Sequence, residues 1–255
     1  MLWGAAFHQY SLMPPLNSAR DHAVQRMFDR IAGRYDLLNR IISFRLDARW
    51  RKQAIGTIVT RHDALVLDLG TGTGDLTFTA AQSGAGRIVG LDFSLPMLRL
   101  AQQKKNNARH GEKVGFVLGS ALESPFKDAA FDGVMTAFVL RNVSDLSIFF
   151  SHAFRVLKPG GKFVSLDMFP LSRSWFSIFY TLYFYRLVPW IGGLLAHDRN
   201  AYQYLSESVR QFYPPEQVAY LIEQAGFKRV TVRKFLNGAV CMHMAEKAGA
   251  SILAS

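Results

Sequence analysis

The stretch ALVLDLGTGTGD, residues 64–75, decides the architecture. Ala64 to Leu69 is a short apolar run without the polar alternation of a half-solvated strand, so it reads as a strand buried on both faces. Gly70, Gly72 and Gly74 follow at every second position, and a helical pattern runs over Leu76 to Gln82. Strand, glycine turn and helix in that order form the opening of a βαβ unit.

Outward from this unit the alternation continues. Arg87 to Leu91, Val114 to Leu118, Phe131 to Thr136 and Lys162 to Asp167 read as further strands, with helical segments between most of them. The predicted fold class is α/β, a Rossmann-like doubly wound sheet with mostly parallel strands. Near the end, Arg229 to Phe235 and Ala239 to Met244 flank Asn237-Gly238, a two-residue hairpin signal, so the sheet is expected to finish with an antiparallel pair. No internal repeat or low-complexity segment interrupts the pattern.

The 255 residues suit one domain with decorations. Its expected parts are an N-terminal arm and helical cap over 1–62, a ligand-binding half over 63–168 and an apolar lid insertion over 169–215. A C-terminal helix and hairpin over 216–247 and a tail over 248–255 complete it. Met1 to Leu16 is apolar but has no basic leader, and Pro14-Pro15 interrupts it, so it reads as a loose arm of a cytosolic chain. Asp21 to about Arg61 has helical periodicity, with Val24, Phe28, Ile31 and Tyr35 three or four residues apart. Arg26, Arg30 and Arg34 would stack on one face, which is either a solvated surface or the face of a membrane or substrate lid.

A single cysteine, Cys241, excludes an intrachain disulfide and a Cys-rich zinc site. His197-Asp198 has no further ligand at metal spacing, so no metal is expected. The formal charge of +11 calls for an anionic neighbour, which charge alone leaves open among nucleic acid, an acidic substrate and a lipid surface.

The glycine turn is where ligand chemistry begins. A dinucleotide fingerprint would want its third glycine at position 75, but Asp75 stands there, at a helix start that would otherwise hold pyrophosphate. A carboxylate repels phosphate. S-adenosylmethionine carries no phosphate but has a cationic sulfonium and ammonium, so Asp68 and Asp75 suit it. A tight structural turn is the alternative reading of the glycines. Asp92 ends the second strand about 20 residues after the loop, where a ribose diol is held; otherwise it is a turn former, with Ser94 capping the next helix.

Asp68-x-Gly-x-Gly-x-Gly, Asp92, Phe131-Asp132 and Val156 to Gly161 in this order resemble class I S-adenosylmethionine methyltransferases. Three segments resemble a narrower group: Phe28 to Asn39 (FDRIAGRYDLLN), Phe138 to Val143 (FVLRNV) and His197 to Arg210. They are similar to the quinone C-methyltransferases of menaquinone and ubiquinone synthesis, over roughly Gln25 to Lys247. The resemblance implies S-adenosylmethionine as cofactor, with Asp68, Gly70, Gly72, Thr73 and Gly74 at its methionine part, Asp92 at the ribose and Ser120-Ala121 beside the adenine. The family commonly has Asn or Asp where this chain has Ser120, and a Ser near Ala137, so adenine recognition here leans on backbone groups or a shorter hydroxyl.

The implied reaction is methyl transfer to a ring carbon of a prenylated quinol, demethylmenaquinol first and a benzoquinol precursor of ubiquinone second. Arg141 would stabilise the developing phenolate or orient a water, Asn142 would hydrogen-bond the second ring oxygen, and Tyr35 with Asp36 would close over the ring or relay a proton. Each has an ordinary alternative: a salt bridge for Arg141, a turn for Asn142, a core aromatic for Tyr35.

Ser174 to Ala196 holds eight aromatic residues and one charge, Arg186. It reads as an amphipathic lid with Trp175 and Trp190 at a membrane interface, rather than a spanning helix; a dimer surface is the other reading. Asp198, Tyr202 and Tyr204 would order that lid or touch the quinol. Expected partners are therefore the quinol and the inner face of the membrane, with a homodimer or biosynthetic complex open and no nucleic acid. A nucleic-acid methyltransferase would fit the charge but lacks an added RNA-binding module or base-flipping motif. A non-catalytic relative of the fold is the third reading.

Overall fold

A computed structural model describes residues 19–59, 62–171 and 199–249. The N-terminal arm, the aromatic segment with Trp175 and Trp190, the His197-Asp198 pair, the side chain of Tyr202 and the end of the tail lie outside what it describes.

Seven strands form one sheet in the order β3-β2-β1-β4-β5-β7-β6. They are β1 (Leu65–Leu69), β2 (Arg87–Asp92), β3 (Val114–Leu118), β4 (Phe131–Ala137), β5 (Leu157–Met168), β6 (Lys228–Phe235) and β7 (Val240–Glu246). The first five pair in parallel, and β7 alone runs against its neighbours β5 and β6. The expected doubly wound sheet with an antiparallel end is thus present. Strand order reverses between β1 and β4, and a crevice opens beyond their carboxyl ends, where ligands bind in such sheets.

Side-chain alternation along β1 builds the two layers. Leu67 and Leu69 face a core completed by Phe149, Phe150 and Val156 of α5 (Leu146–Val156) and by Val218 and Ile222 of α7 (Pro215–Gln224). Val66 faces the other way, onto Trp50, Ala54, Ile55 and Ile58 of α2 (Leu46–Ile58) and Leu76 and Phe78 of α3 (Asp75–Gln82). Helices therefore cover both faces, as continuous apolar strands require. Ser94 caps α4 (Leu95–Asn107), its hydroxyl accepting from Met97 N at 3.3 Å.

Three local expectations change. The helical stretch from Asp21 to Arg61 is two helices, α1 (Ala19–Ile42) and α2, broken where Phe44 and Arg45 take left-handed φ of 51° and 62°. β5 starts at Leu157 rather than Lys162, because Leu157 pairs with Phe131 before the Lys158–Gly161 turn bulges out and pairing resumes at Gly133 and Lys162. The closing hairpin has four residues between the pair Phe235 and Val240, not two: Leu236, Asn237 and Gly238 all have positive φ.

α6 (Arg199–Arg210), which precedes α7, meets the short 3-10 turn Leu140–Asn142 that follows β4. Arg26 and Arg34 are exposed on α1, and Arg30 Nη1 donates to Arg26 O at 3.3 Å, so the expected basic stripe exists on its solvent side.

Candidate active site

The glycine loop turns over the end of β1. Gly70 and Gly72 have φ of 73° and 56°, and Gly70 N and Thr71 N donate to Leu91 O at 2.8 and 3.0 Å, which ties the loop to β2. A Cβ on Gly70 would fall 2.5 Å from a Val139 methyl, whereas one on Gly72 would meet nothing within 4 Å. The loop thus presses against the segment just after β4 at one glycine and leaves an open cradle at the other. Gly74 N donates to Thr71 O at 2.9 Å as α3 begins.

Two carboxylates flank the cradle. Asp68 is 1% exposed; its Oδ2 accepts from the hydroxyls of Thr71 and Thr77 at 2.9 and 2.7 Å, while its buried Oδ1 finds no partner among the described residues. Asp92 accepts from Gly72 N at 2.7 Å and Ser94 N at 2.9 Å. Burial outweighs these hydrogen bonds and pushes both carboxyls up to about 6. Asp75 behaves differently: burial pushes it up, but Arg51 and Lys104 more than offset that and hold it below the usual range. Its charge therefore answers the chain's own cations, not only a ligand.

A cleft of about 650 Å³, its open mouth included, is lined by Tyr35, Arg51, Asp68, Gly70, Gly72, Thr73 and Asp92. A second, of about 500 Å³, lies beyond Asp92 against Ser120, Ala121 and Leu122. Gly70, Asp92, Val139 and Asn142 line both, so the two are one bent cleft. Its shape and donors fit S-adenosylmethionine. The unpartnered Asp68 oxygen suits an ammonium, Asp92 suits hydroxyl donors at the bend, and the cradle at Gly72 admits an atom against the backbone. Ser120 Oγ accepts from Leu122 N at 3.1 Å, which leaves its hydroxyl hydrogen as a donor on the far side.

Arg141 and Asn142 stand on the turn after β4. Arg141 is buried and donates to Asp167 Oδ1 at 2.5 Å, while its Nε and Asp167 Oδ2 have no partner among the described residues. It lines a separate cavity of about 1250 Å³, open mouth included, with Arg20, Ser144, Tyr204, Ser208 and Gln211. Asn142 lines the cleft itself, and its Nδ2 donates to Phe138 O at 3.3 Å, holding a residue whose φ is 62°. So the ordinary roles are present, and each side chain also faces a void. Tyr35 packs edge-on against Phe28 with centroids 5.9 Å apart, and burial raises its phenol pKa, opposed by Asn39, Arg141 and Arg51.

α1 closes the cleft through polar contacts. Asp36 accepts from Thr73 Oγ1 at 2.5 Å and pairs with Lys104 Nζ at 2.5 Å; Gln25 donates to Phe93 O at 2.7 Å; Asp29 accepts from Ser94 Oγ at 2.5 Å. Arg51, Lys104, Asp29 and Asp167 were not singled out from the sequence. Arg51 carried a usable signal: with Asp47, Ala54, Ile55 and Ile58 it falls on the buried stripe of α2, where a charge needs a partner. Asp167 carried none, being 26 residues from Arg141. Among the described residues no three His, Cys, Asp or Glu side chains are placed to hold a metal, and no helix is long and apolar enough to cross a membrane.

Comparison with known proteins supplies the family. A family model described as the ubiE/COQ5 methyltransferase family matches residues 16–247. A protein of Lactiplantibacillus plantarum named demethylmenaquinone methyltransferase is 40% identical over 89% of this chain and 96% of its own. One of the same name from Thermus thermophilus is 40% identical over 87% of this chain and its whole length. Among solved structures, an S-adenosylmethionine-dependent methyltransferase from Thermotoga maritima superposes with a TM-score of 0.62 at 18% identity, covering 88% of this chain and 99% of its own, which is a likeness of fold.

Proposed function

This chain belongs to the ubiE/COQ5 methyltransferase family, and from that premise we propose that it methylates a ring carbon of a prenylated quinol, turning demethylmenaquinol into menaquinol. It is an S-adenosylmethionine-dependent methyltransferase. When bound, that cofactor supplies an electrophilic methyl group on a sulfonium; the chain's residues do the rest by position and charge.

In this reading Asp92 accepts the ribose hydroxyls, Asp68 and the loop over Gly70, Gly72, Thr73 and Gly74 hold the amino-acid end, and Ser120-Ala121 edge the adenine. A guanidinium offers donors and no proton-accepting site, so Arg141 stabilises phenolate rather than removing a proton. Asp167 aims it. Asn142 offers its amide to the second ring oxygen, and Tyr35 with Asp36 covers the ring from α1. The observation that carries this is the single turn Leu140–Asn142, which turns Asn142 to the cofactor cleft and Arg141 to the polar cavity beside it.

The demethylmenaquinone names of the relatives favour the naphthoquinol over the benzoquinol. The net charge of +11 supports work at the anionic inner face of the membrane, where such a lipid substrate resides. The working unit is one domain, with 1–62 as cap and 169–215 as lid. Asn142→Ala tests the assignment: it is expected to lower kcat by at least about tenfold while S-adenosylhomocysteine affinity changes little, as loss of a substrate hydrogen bond predicts. Unchanged kcat would remove Asn142 from the site.

A further inference from the structure

The amino-acid end of the cofactor is a zwitterion, and Asp68 answers only its ammonium. Its carboxylate needs a cation in the same cleft. Among the described cleft-lining residues Arg51 is the one cation, with a side chain 9% exposed. Among the described residues both of its hydrogen bonds leave from Nη1, to Asp47 Oδ2 at 2.8 Å and to Asp75 Oδ2 at 3.2 Å. A guanidinium carries five N–H donors in a planar fork, so donors remain for a carboxylate. Its carbon lies over the Phe138 ring, 5.7 Å from the centroid.

Lys104 stands behind it. Its Nζ reaches Asp75 Oδ1 at 2.7 Å, Asp36 Oδ2 at 2.5 Å and Thr73 Oγ1 at 3.0 Å. Asp75 therefore joins the two cations with one oxygen each, and neither cation is held by the glycine loop's backbone. The longer Arg51–Asp75 contact is the weaker one, and a ligand carboxylate can share or displace it while Lys104 keeps Asp75 neutralised.

We infer that Arg51 receives the α-carboxylate of the cofactor's amino-acid end, with Lys104 as the positioning residue that holds Asp75 and Thr73 in place for it. This rests on the cofactor reading above.

The test is calorimetric binding of two probes, S-adenosylhomocysteine, which has the amino-acid end, and 5′-methylthioadenosine, which lacks it. Arg51→Met is expected to weaken S-adenosylhomocysteine by about 10- to 100-fold, the loss of hydrogen bonds to a charged group, and methylthioadenosine by less than about threefold. Retained methylthioadenosine affinity doubles as the control for folding. Arg51→Lys should recover part of the loss, and Lys104→Met should show the same selectivity at smaller size. Equal weakening of both probes by Arg51→Met, or none, overturns the assignment. Wild-type protein that binds neither probe overturns the cofactor reading and this assignment with it.

Discussion

Asp68 and Asp92 sit at about 6, above the ~3.9 of an unfolded aspartate, because both are buried. Raised carboxyls contribute stability that is complete below about pH 4 and is lost as pH rises through 6. Cofactor binding runs the other way, since it uses the charged forms. S-adenosylmethionine affinity should therefore rise between pH 5 and 7, with proton release seen by calorimetry in buffers of different ionisation enthalpy; affinity flat over that range would contradict it. Gly72→Ala and Gly70→Ala should separate site from fold. The first adds strain on the order of 1 kcal/mol and fills the cradle, so the protein folds but loses cofactor. The second also collides with Val139 and should lower Tm clearly. That these residues share one cleft was legible in the sequence because the loop and the strand end lie within one βαβ unit. The Arg141–Asp167 pair was not, and it confounds a simple alanine test. Arg141→Ala strands a buried carboxylate at a cost of about 3–5 kcal/mol, whereas Arg141→Met with Asp167→Leu should restore most of the stability and none of the transfer, in a denaturation series run beside the assay.

At the scale of elements, α1 is the unusual one. It meets the cleft edge through Asp21–Ser144, Gln25–Phe93, Asp29–Ser94 and Asp36–Thr73 contacts, with Val24, Met27 and Ala32 as the buried apolar residues among its described side chains. Polar attachment over a cleft makes a helix that opens at low free energy. Amide exchange should be faster across Ala19–Ile42 than in β4, and cofactor should slow it; protection equal to β4 without ligand would show a rigid wall instead. The break between α1 and α2 could not be read from Ser43-Phe44-Arg45, which has neither glycine nor proline. It is held by Arg45 N on Arg40 O at 2.9 Å and Ser43 Oγ on Asp47 at 2.7 Å, contacts that exist only once the chain has turned. Asn237-Gly238 did mark the last turn, but its length depends on Leu236 also adopting positive φ, which leucine gives no sign of.

For the molecule as a whole, the doubly wound sheet with its antiparallel end was legible because buried parallel strands alternate with helices, whereas the partners that β4, β5 and α6 bring together, such as Arg141 and Asp167, were not, because they lie far apart in the chain. The charge of +11 predicts that the protein floats with vesicles containing anionic lipid, fails to float with neutral ones, and is released by salt as screening shortens the reach of its charges. Equal flotation with both vesicle types would remove electrostatics from the association. The central claim is the reaction itself, and one measurement reaches it most directly. Protein, S-adenosylmethionine with a labelled methyl group, reduced demethylmenaquinone in liposomes and structured RNA are combined, and the label is located by mass spectrometry. The account predicts label on a ring carbon of the quinone and none on RNA; label on RNA, or on neither, would contradict it.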